Sequence, residues 1–268
     1  MRSYLFDVDG VLLDETGDTK FHPELIDELI NRLKNGSLVG LNTGRSLSHL
    51  RESILPYINT HATQKERELL FIAAEKGTVV CTWNTLGEQL ISVDSSFAVP
   101  ENLRTYLRDW INTNKFGEFL FYDTSKQSMA SFELKPSHNP RELSSALPMI
   151  LSELTTILKR FDLDGIFRMD TTKISIDVEH MKAGKELGTT RFIQFCTQKN
   201  CAPSDMWIFG DSRMDLAMLE TCKTHDIPSR LFFLGDASII PDTHDVAITI
   251  SSVPHCAGTL HILTHEQE

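Results

Sequence analysis

Short apolar runs, each stopped by a polar turn, alternate with amphipathic stretches through the first third of the chain. The runs at 3–6, 38–42 and 69–74 read as buried strands. Between the first two, Leu25, Ile26, Leu29, Ile30 and Leu33 recur at helical spacing, with Pro23 opening the helix and Asn35-Gly36 closing it. The polar stretch 14–20 reads as a loop, and Ser46 is placed to cap a second helix over 47–58. Strand, helix, strand, helix predicts a parallel sheet with crossover helices. A further strand is expected over 77–81, and a hairpin turn at 84–87 leads into 88–92.

From about residue 100 the rhythm changes. Leu103, Leu107, Trp110 and Ile111 predict a helix over 101–114, followed by strands over 117–122 and 128–135. A longer helix is expected over 140–160, bent near Pro148, then strands over 163–168 and 173–178. This repeated αββ order predicts a small open sheet with helices on one side. The first rhythm then resumes with a helix over 189–201, a strand over 206–209, a helix over 216–221, strands over 231–234 and 246–250, and a helical turn or tail over 260–265. The expected fold class is α/β: a Rossmann-like, doubly wound parallel sheet built from 1–82 and 181–268, with an inserted α+β (αββαββ) cap at 83–180.

At 268 residues and 41% hydrophobic, the chain has enough apolar material for a sizeable core. Its net charge of -11 argues against sequence-independent nucleic-acid binding, which rests on Lys and Arg. Any anionic substrate must be drawn in locally, by a metal or by a few placed cations. No apolar run reaches the roughly 18 residues of a membrane span, and no leader pattern precedes the first strand, so neither a membrane segment nor a signal peptide is expected. The five cysteines are scattered without a Cys-x-x-Cys pair, which suits reduced thiols in a cytoplasmic protein. The ten histidines show no metal-ligand spacing. A monomer or small homo-oligomer is expected.

Three predicted strands end in polar, glycine-bearing turns: Asp7-Val8-Asp9-Gly10, Thr43-Gly44-Arg45, and Gly210-Asp211-Ser212-Arg213-Met214-Asp215. In an open parallel sheet the carboxyl ends of the strands line one edge, where ligands bind. Asp7, Asp9, Asp211 and Asp215 gathered there would repel one another and resist losing water. A hard divalent cation such as Mg²⁺ is the usual remedy. The set suits phosphoryl transfer to a carboxylate. One Asp takes the phosphoryl group, a second protonates the leaving oxygen and later activates water. Thr43 would offer a hydroxyl and a backbone N–H to the phosphate, and a lysine would neutralise its charge. Arg45 either reaches the phosphate or simply pairs with surface acids.

With these motifs the chain resembles the haloacid dehalogenase superfamily of phosphatases. Within it, the likeness is to the Cof-like group that includes sucrose-, trehalose- and mannosylglycerate-phosphate phosphatases and phosphomannomutases. The three turns match its first, second and fourth motifs in order, and Lys185 fits its lysine motif because Phe192 and Ile193 then fall on the apolar side of the following helix, with Lys182 as the alternative. The resemblance implies a Mg²⁺-dependent phosphatase acting on a small phosphate monoester, a sugar phosphate in particular. Asp7 would be the nucleophile and Asp9 the general acid/base. Asp7, the backbone carbonyl of Asp9, and Asp211 would hold Mg²⁺, and Asp215 would support the metal or orient Lys185. Thr43, Gly44, Arg45 and Lys185 would hold the phosphate. The inserted cap would select the substrate, with Lys135, His138, Arg168, Asp170 and Lys173 as candidate contacts. A phosphomutase and a non-catalytic sensor of phosphorylated metabolites are the alternatives. The chain departs from the family pattern at Met214 and Lys76, where the family has Asn, and at Glu186, where it has Gly after the lysine.

Overall fold

A computed structural model describes residues 2–14, 21–201, 203–240 and 247–265. The expected loop beyond Asp14, and Val246 at the start of the last expected strand, lie outside the described residues. The chain divides into two compact units, one made of Met1–Ser92 with Gly184–Glu268 and the other of Val93–Ala183.

In chain order the first segment runs β1 (Arg2–Phe6), α1 (Pro23–Lys34), β2 (Leu38–Asn42), α2 (Leu47–Glu52), α3 (Leu55–His61), α4 (Gln64–Arg67), β3 (Leu70–Ala74), β4 (Val79–Trp83) and β5 (Gln89–Val93). The inserted segment follows with α5 (Glu101–Thr113), β6 (Leu120–Asp123), β7 (Ala130–Leu134), α6 (Pro140–Arg160), β8 (Phe167–Thr171) and β9 (Ser175–His180). The chain then returns through α7 (Lys185–Gln198), β10 (Asp205–Gly210), α8 (Leu216–Thr224), β11 (Ser229–Phe233), β12 (Ile248–Ile250) and α9 (His255–His265).

The first unit holds an eight-stranded sheet in the order β12-β11-β10-β1-β2-β3-β4-β5. Every pair from β12 to β3 is parallel. β4 returns antiparallel on β3, so the sheet is mixed, not wholly parallel. Side chains alternate faces along each strand. Tyr4, Phe6, Leu41, Phe209 and Phe232 join a core with α1, α3 and α9, while Leu5, Leu38, Met206, Ile208 and Phe233 join a second core with α7 and α8. The five apolar residues of α1 named from spacing are all buried, each contributing about 1.5–3 kcal/mol. The five cysteines are free thiols, and burial pushes Cys81 up to about 11 and Cys196, Cys222 and Cys256 up to about 12. Among the described residues no helix is long and apolar enough to cross a membrane.

Some expected boundaries move for local reasons. The helix expected over 47–58 breaks at Ser53-Ile54 and restarts as α3 with Pro56 in its first turn. A proline there has no N–H for the preceding turn, and its ring collides with that turn's carbonyl. α4 is a single turn set by a Thr63/Glu66 capping box. α7 begins at Lys185, four residues before the expected start, because its first turn contains Gly188. A side chain there would meet the Asn42 amide, since a Cβ on Gly188 would lie 2.2 Å from Asn42 Oδ1.

The inserted unit is a four-stranded antiparallel sheet in the order β6-β7-β9-β8. One face packs Tyr122, Phe132, Ile176 and Val178 against α5 and α6. The other carries Ser131, Glu133, Asp177, Glu179, Arg168 and Asp170, set opposite one another by the strand register. Pro148 is accommodated inside α6, which runs unbroken over 21 residues.

Between β3 and β4 the chain turns on three successive residues in the left-handed region, Glu75 (φ 48°), Lys76 (φ 56°) and Gly77 (φ 90°). A Cβ on Gly77 would stand 2.5 Å from the backbone nitrogen of Gly188 in α7. Replacing Gly77 with Ala is therefore expected to destabilise the protein by about 1–3 kcal/mol through strain and overpacking. Urea unfolding of the variant checks this, and an unchanged midpoint would contradict the tight approach of this turn to α7.

Candidate active site

Three neighbouring parallel strands, β10, β1 and β2, bring their carboxyl ends to one edge of the sheet. The three polar turns found in the sequence follow directly from those ends. Asp7 continues the pairing of β1, its N–H donating to Phe209 O at 2.9 Å. The chain then folds into a tight turn in which Leu12 and Leu13 both donate to Val8 O, with Gly10 at φ 70°. That glycine is required twice over, by its backbone angle and by its neighbour. A Cβ on it would lie 1.9 Å from Asp211 Oδ2, so the Asp211 side chain rests against the Gly10 backbone.

Lys185 is the first residue of α7 and is buried. Its Nζ lies 2.5 Å from Asp7 Oδ1 and 3.0 Å from Asp215 Oδ1, and donates to Asn42 O at 2.7 Å. The Asn42 amide donates back to Lys185 O at 2.8 Å and to Thr189 Oγ1 at 3.3 Å. Lys182, the other lysine considered, is exposed and belongs to the inserted unit. Asn42 was not singled out from the sequence. Its signal is a polar residue ending a fully buried strand just before Thr43-Gly44.

Asp215 is wholly buried. Its Oδ2 accepts from Asp211 N at 3.1 Å, Ser212 N at 3.0 Å and Ser212 Oγ at 2.8 Å. The Ser212 hydroxyl is thus spent on Asp215, within a capping box around the turn Arg213–Asp215. Met214 in this turn is exposed.

Carboxylate oxygens of Asp7, Asp211 and Asp215 lie within 4.8 Å of one another. All three donors are hard oxygens from two separate turns, Asp7 from one and Asp211 and Asp215 from the other, gathered against a glycine that leaves room for them. That set fits a divalent cation such as Mg²⁺. The Asp9 side chain stands apart from this group. Arg45 grips it with a two-pronged contact, Nε at 3.0 Å from each Asp9 oxygen and Nη2 at 2.8 Å from Oδ1. The structure therefore pairs Arg45 with an acid of the site itself, Asp9, a partner that neither of the two roles considered for it had named.

Thr43 is fully buried. Its backbone N–H, expected to face a phosphate, instead continues the sheet by donating to Ala73 O at 2.9 Å. Its Oγ1 accepts from Arg45 N at 3.0 Å. Gly44 follows at the surface of the turn, half-buried.

Electrostatics follow from this packing. Burial raises the Asp7 carboxyl well above its ordinary range, with the Asp215 charge adding to the effect, Lys185 opposing it and Asp211 adding more. Burial works against the Lys185 charge, but Asp215 and Asp7 outweigh it and hold the ammonium above the ordinary lysine value. Because the folded Asp7 keeps its proton to higher pH than the unfolded chain does, metal-free stability falls as pH rises from the ordinary carboxylate value through the raised one. A cation needs the ionised carboxylate. The rise in Tm on adding Mg²⁺ is therefore expected to grow from about pH 5 to about pH 7.5 and to flatten in Asp7→Asn. An increment independent of pH would remove Asp7 from cation binding.

No curated protein sequence matches this chain. Solved structures match along nearly its whole length. The trehalose-6-phosphate phosphatase C-terminal domain of C. albicans is 15% identical with a TM-score of 0.67, covering 98% of this chain and 90% of that one. A haloacid dehalogenase-like hydrolase from Bacteroides thetaiotaomicron is 11% identical with a TM-score of 0.65, covering 99% of both chains. The sucrose-phosphatase of Synechocystis sp. PCC6803, solved with sucrose and phosphate, is 15% identical with a TM-score of 0.53, covering 99% of this chain and 98% of that one. At these identities the likeness is one of fold. The family model for haloacid dehalogenase-like hydrolases matches residues 4–225, and with the strand-end motifs it spans, the chain belongs to that family of hydrolases.

Proposed function

We propose that this chain is a Mg²⁺-dependent phosphatase that hydrolyses a small phosphate monoester, a sugar phosphate in particular, through an aspartyl-phosphate on Asp7. The observation that carries this reading is the Lys185 ammonium held between Asp7 and Asp215 at the edge where three strand-end turns meet. The trehalose-6-phosphate and sucrose phosphatases among the structural neighbours support the substrate class.

Asp7 Oδ1 accepts from Val8 N at 2.6 Å and pairs with Lys185, which leaves Oδ2 for attack on phosphorus. As the Oδ2–phosphorus bond forms, the bond to the leaving oxygen breaks and Asp9 delivers a proton to that oxygen. Asp9 then takes a proton from water as the water oxygen attacks phosphorus, and the bond to Asp7 breaks to release phosphate. Asp7, Asp211 and Asp215 would hold Mg²⁺, which supplies charge neutralisation for the phosphoryl oxygens. Lys185 keeps Asp7 fixed and works against the rise that burial imposes on its carboxyl. Arg45 orients Asp9 through its fork.

Substrate selection is assigned to the inserted unit. Its polar sheet face carries Glu133, Asp177, Glu179 and Asp170, with Arg168 paired to Glu179 at 3.0 Å. Carboxylates accept from hydroxyl groups and repel a second anionic group, which favours a polyol leaving group. Of the other residues considered there, His138 contacts Glu142 at 2.6 Å and Lys135 donates to Gly117 O at 2.6 Å.

Phosphate release from a panel of phosphorylated sugars, glycerates, nucleotides and cofactors, with Mg²⁺ and with EDTA, tests the reading. Metal-dependent release from one or two members is expected, and its loss in Asp7→Asn by a factor of at least about 10³. Retained turnover in pure Asp7→Asn protein would remove Asp7 as nucleophile. Arg45→Lys loses the fork and is expected to lower kcat about tenfold or more, with KM within about threefold. A raised KM at unchanged kcat would instead give Arg45 a phosphate-holding role.

A further inference from the structure

The stretch 260–265, expected as a helical turn or tail, is the end of the eleven-residue helix α9. It carries two of the chain's ten histidines, His261 and His265. A helix turns about 100° and rises about 1.5 Å per residue, so an interval of four sets two side chains on one face, one above the other. Their rings are neighbours here. The centroids lie 4.4 Å apart and the planes are 30° from parallel. The same helical interval lets two histidines share one zinc ion. It becomes a metal-ligand spacing only where the stretch is helical, which the dispersed histidines of the sequence do not reveal.

Both histidines are exposed, while Cys256, Thr259, Ile262 and Leu263 bury the opposite face of the helix. The helix is also pinned by hydrogen bonds. Thr259 Oγ1 donates to Val11 O at 2.8 Å, and Arg32 Nη2 donates to Leu263 O. The pair therefore stands on a fixed backbone. His265 Nδ1 lies 3.0 Å from His261 O and 2.8 Å from Thr264 Oγ1. A ring nitrogen facing a carbonyl carries the proton, which leaves the Nε2 lone pair for a ligand bond. A ring N–H given to a backbone carbonyl is the outer contact by which metal-binding histidines are oriented. Neither ring nitrogen of His261 has a hydrogen-bond or ion-pair partner among the described residues.

We propose that His261 and His265 form a transition-metal site on the exposed face of α9, taking Ni²⁺, Cu²⁺ or Zn²⁺ through two imidazole nitrogens. Imidazole suits these borderline ions, whereas Mg²⁺ prefers the hard oxygens of Asp7, Asp211 and Asp215. The two sites thus differ in chemistry as well as in place, and this one does not rest on the phosphatase reading. Among the described residues no third His, Cys, Asp or Glu completes it, so water fills the remaining positions. A metal across the pair clips the last turn of the helix whose Thr259 holds the turn after Asp9.

The test is calorimetric titration of Ni²⁺ into the full chain in excess Mg²⁺, with melting temperatures taken with and without Ni²⁺. Wild type is compared with His261→Gln, His265→Gln, the double variant and His225→Gln. Each single variant is expected to lower Ni²⁺ affinity about tenfold or more, because the second imidazole acts at high local concentration. Each is also expected to lose the rise in Tm that Ni²⁺ gives the wild type. Metal-free melting should match wild type, since both side chains are exposed. His225→Gln removes an exposed histidine at the end of α8 and should bind as wild type does. Unchanged affinity in either single variant overturns the proposal. So does an equal loss in His225→Gln, or a wild type that binds no more Ni²⁺ than the double variant. The readout needs no turnover, so its outcome stands apart from that of the hydrolysis panel.

Discussion

The Lys185 ammonium between Asp7 and Asp215 constrains everything around it. Taking one ammonium and two carboxylates out of water costs several kcal/mol per ion. Their mutual attraction recovers this only when distances are short and the remaining lone pairs are satisfied. Here Asp215 Oδ2 accepts from three donors, Asp7 Oδ1 accepts from Val8 N, and Lys185 donates to Asn42 O. Each partner comes from a different strand end or helix start. The parallel register of β10, β1 and β2 and the entry point of α7 must therefore all be right together. Such a cluster is a poor source of net stability and a good source of positional specificity, because it holds the Asp7 carboxylate at one place.

Close backbone approach is what makes this geometry possible, and glycine marks each approach. Gly10 makes way for Asp211, Gly188 makes way for the Asn42 amide, and Gly77 lets the turn after β3 touch the first turn of α7. Gly188 and Gly77 meet each other, so the turn holding Lys76 and the helix holding Lys185 are pressed together at backbone level. The strain of Glu75 and Lys76 is offset by the hydrogen bonds to Arg45 O, Thr43 O and Gly184 N that hold the turn in place.

The strand ends were legible in the sequence because two signals coincide there. A buried strand must be apolar, and the turns at this edge are polar and carry glycine, so the change of character is abrupt at Asp7, Thr43 and Asp211. Helix starts were less legible. Nothing local to 185–188 reads as a helical first turn, since Gly188 is set by Asn42 from a strand distant in sequence. The break at Ser53-Ile54 needed only Pro56, a local signal that the apolar spacing of 47–58 concealed. Partner choice was the least legible. Sequence offered Arg45 a phosphate or an acid and could not decide, because the distance between β1 and β2 turns is a property of the sheet. The Thr43 N–H was misassigned for the same reason: Ala73, inside the neighbouring strand β3, lies opposite it and takes that donor, which only the pairing of the strands reveals.

Charge ties these points to function. A chain with net charge -11 repels a phosphate monoester at long range, where screening already weakens any field. Affinity must then come from groups within hydrogen-bond reach, in a pocket where burial strengthens each contact. Three carboxylates gathered for a cation make the pocket more negative still until that cation arrives. Binding of metal and binding of anion are therefore expected to be coupled, each relieving the repulsion that opposes the other. The placed cations differ in what they can contribute. Lys185, buried, fixes Asp7 and Asp215, whereas Arg45, nearer the surface, orients Asp9.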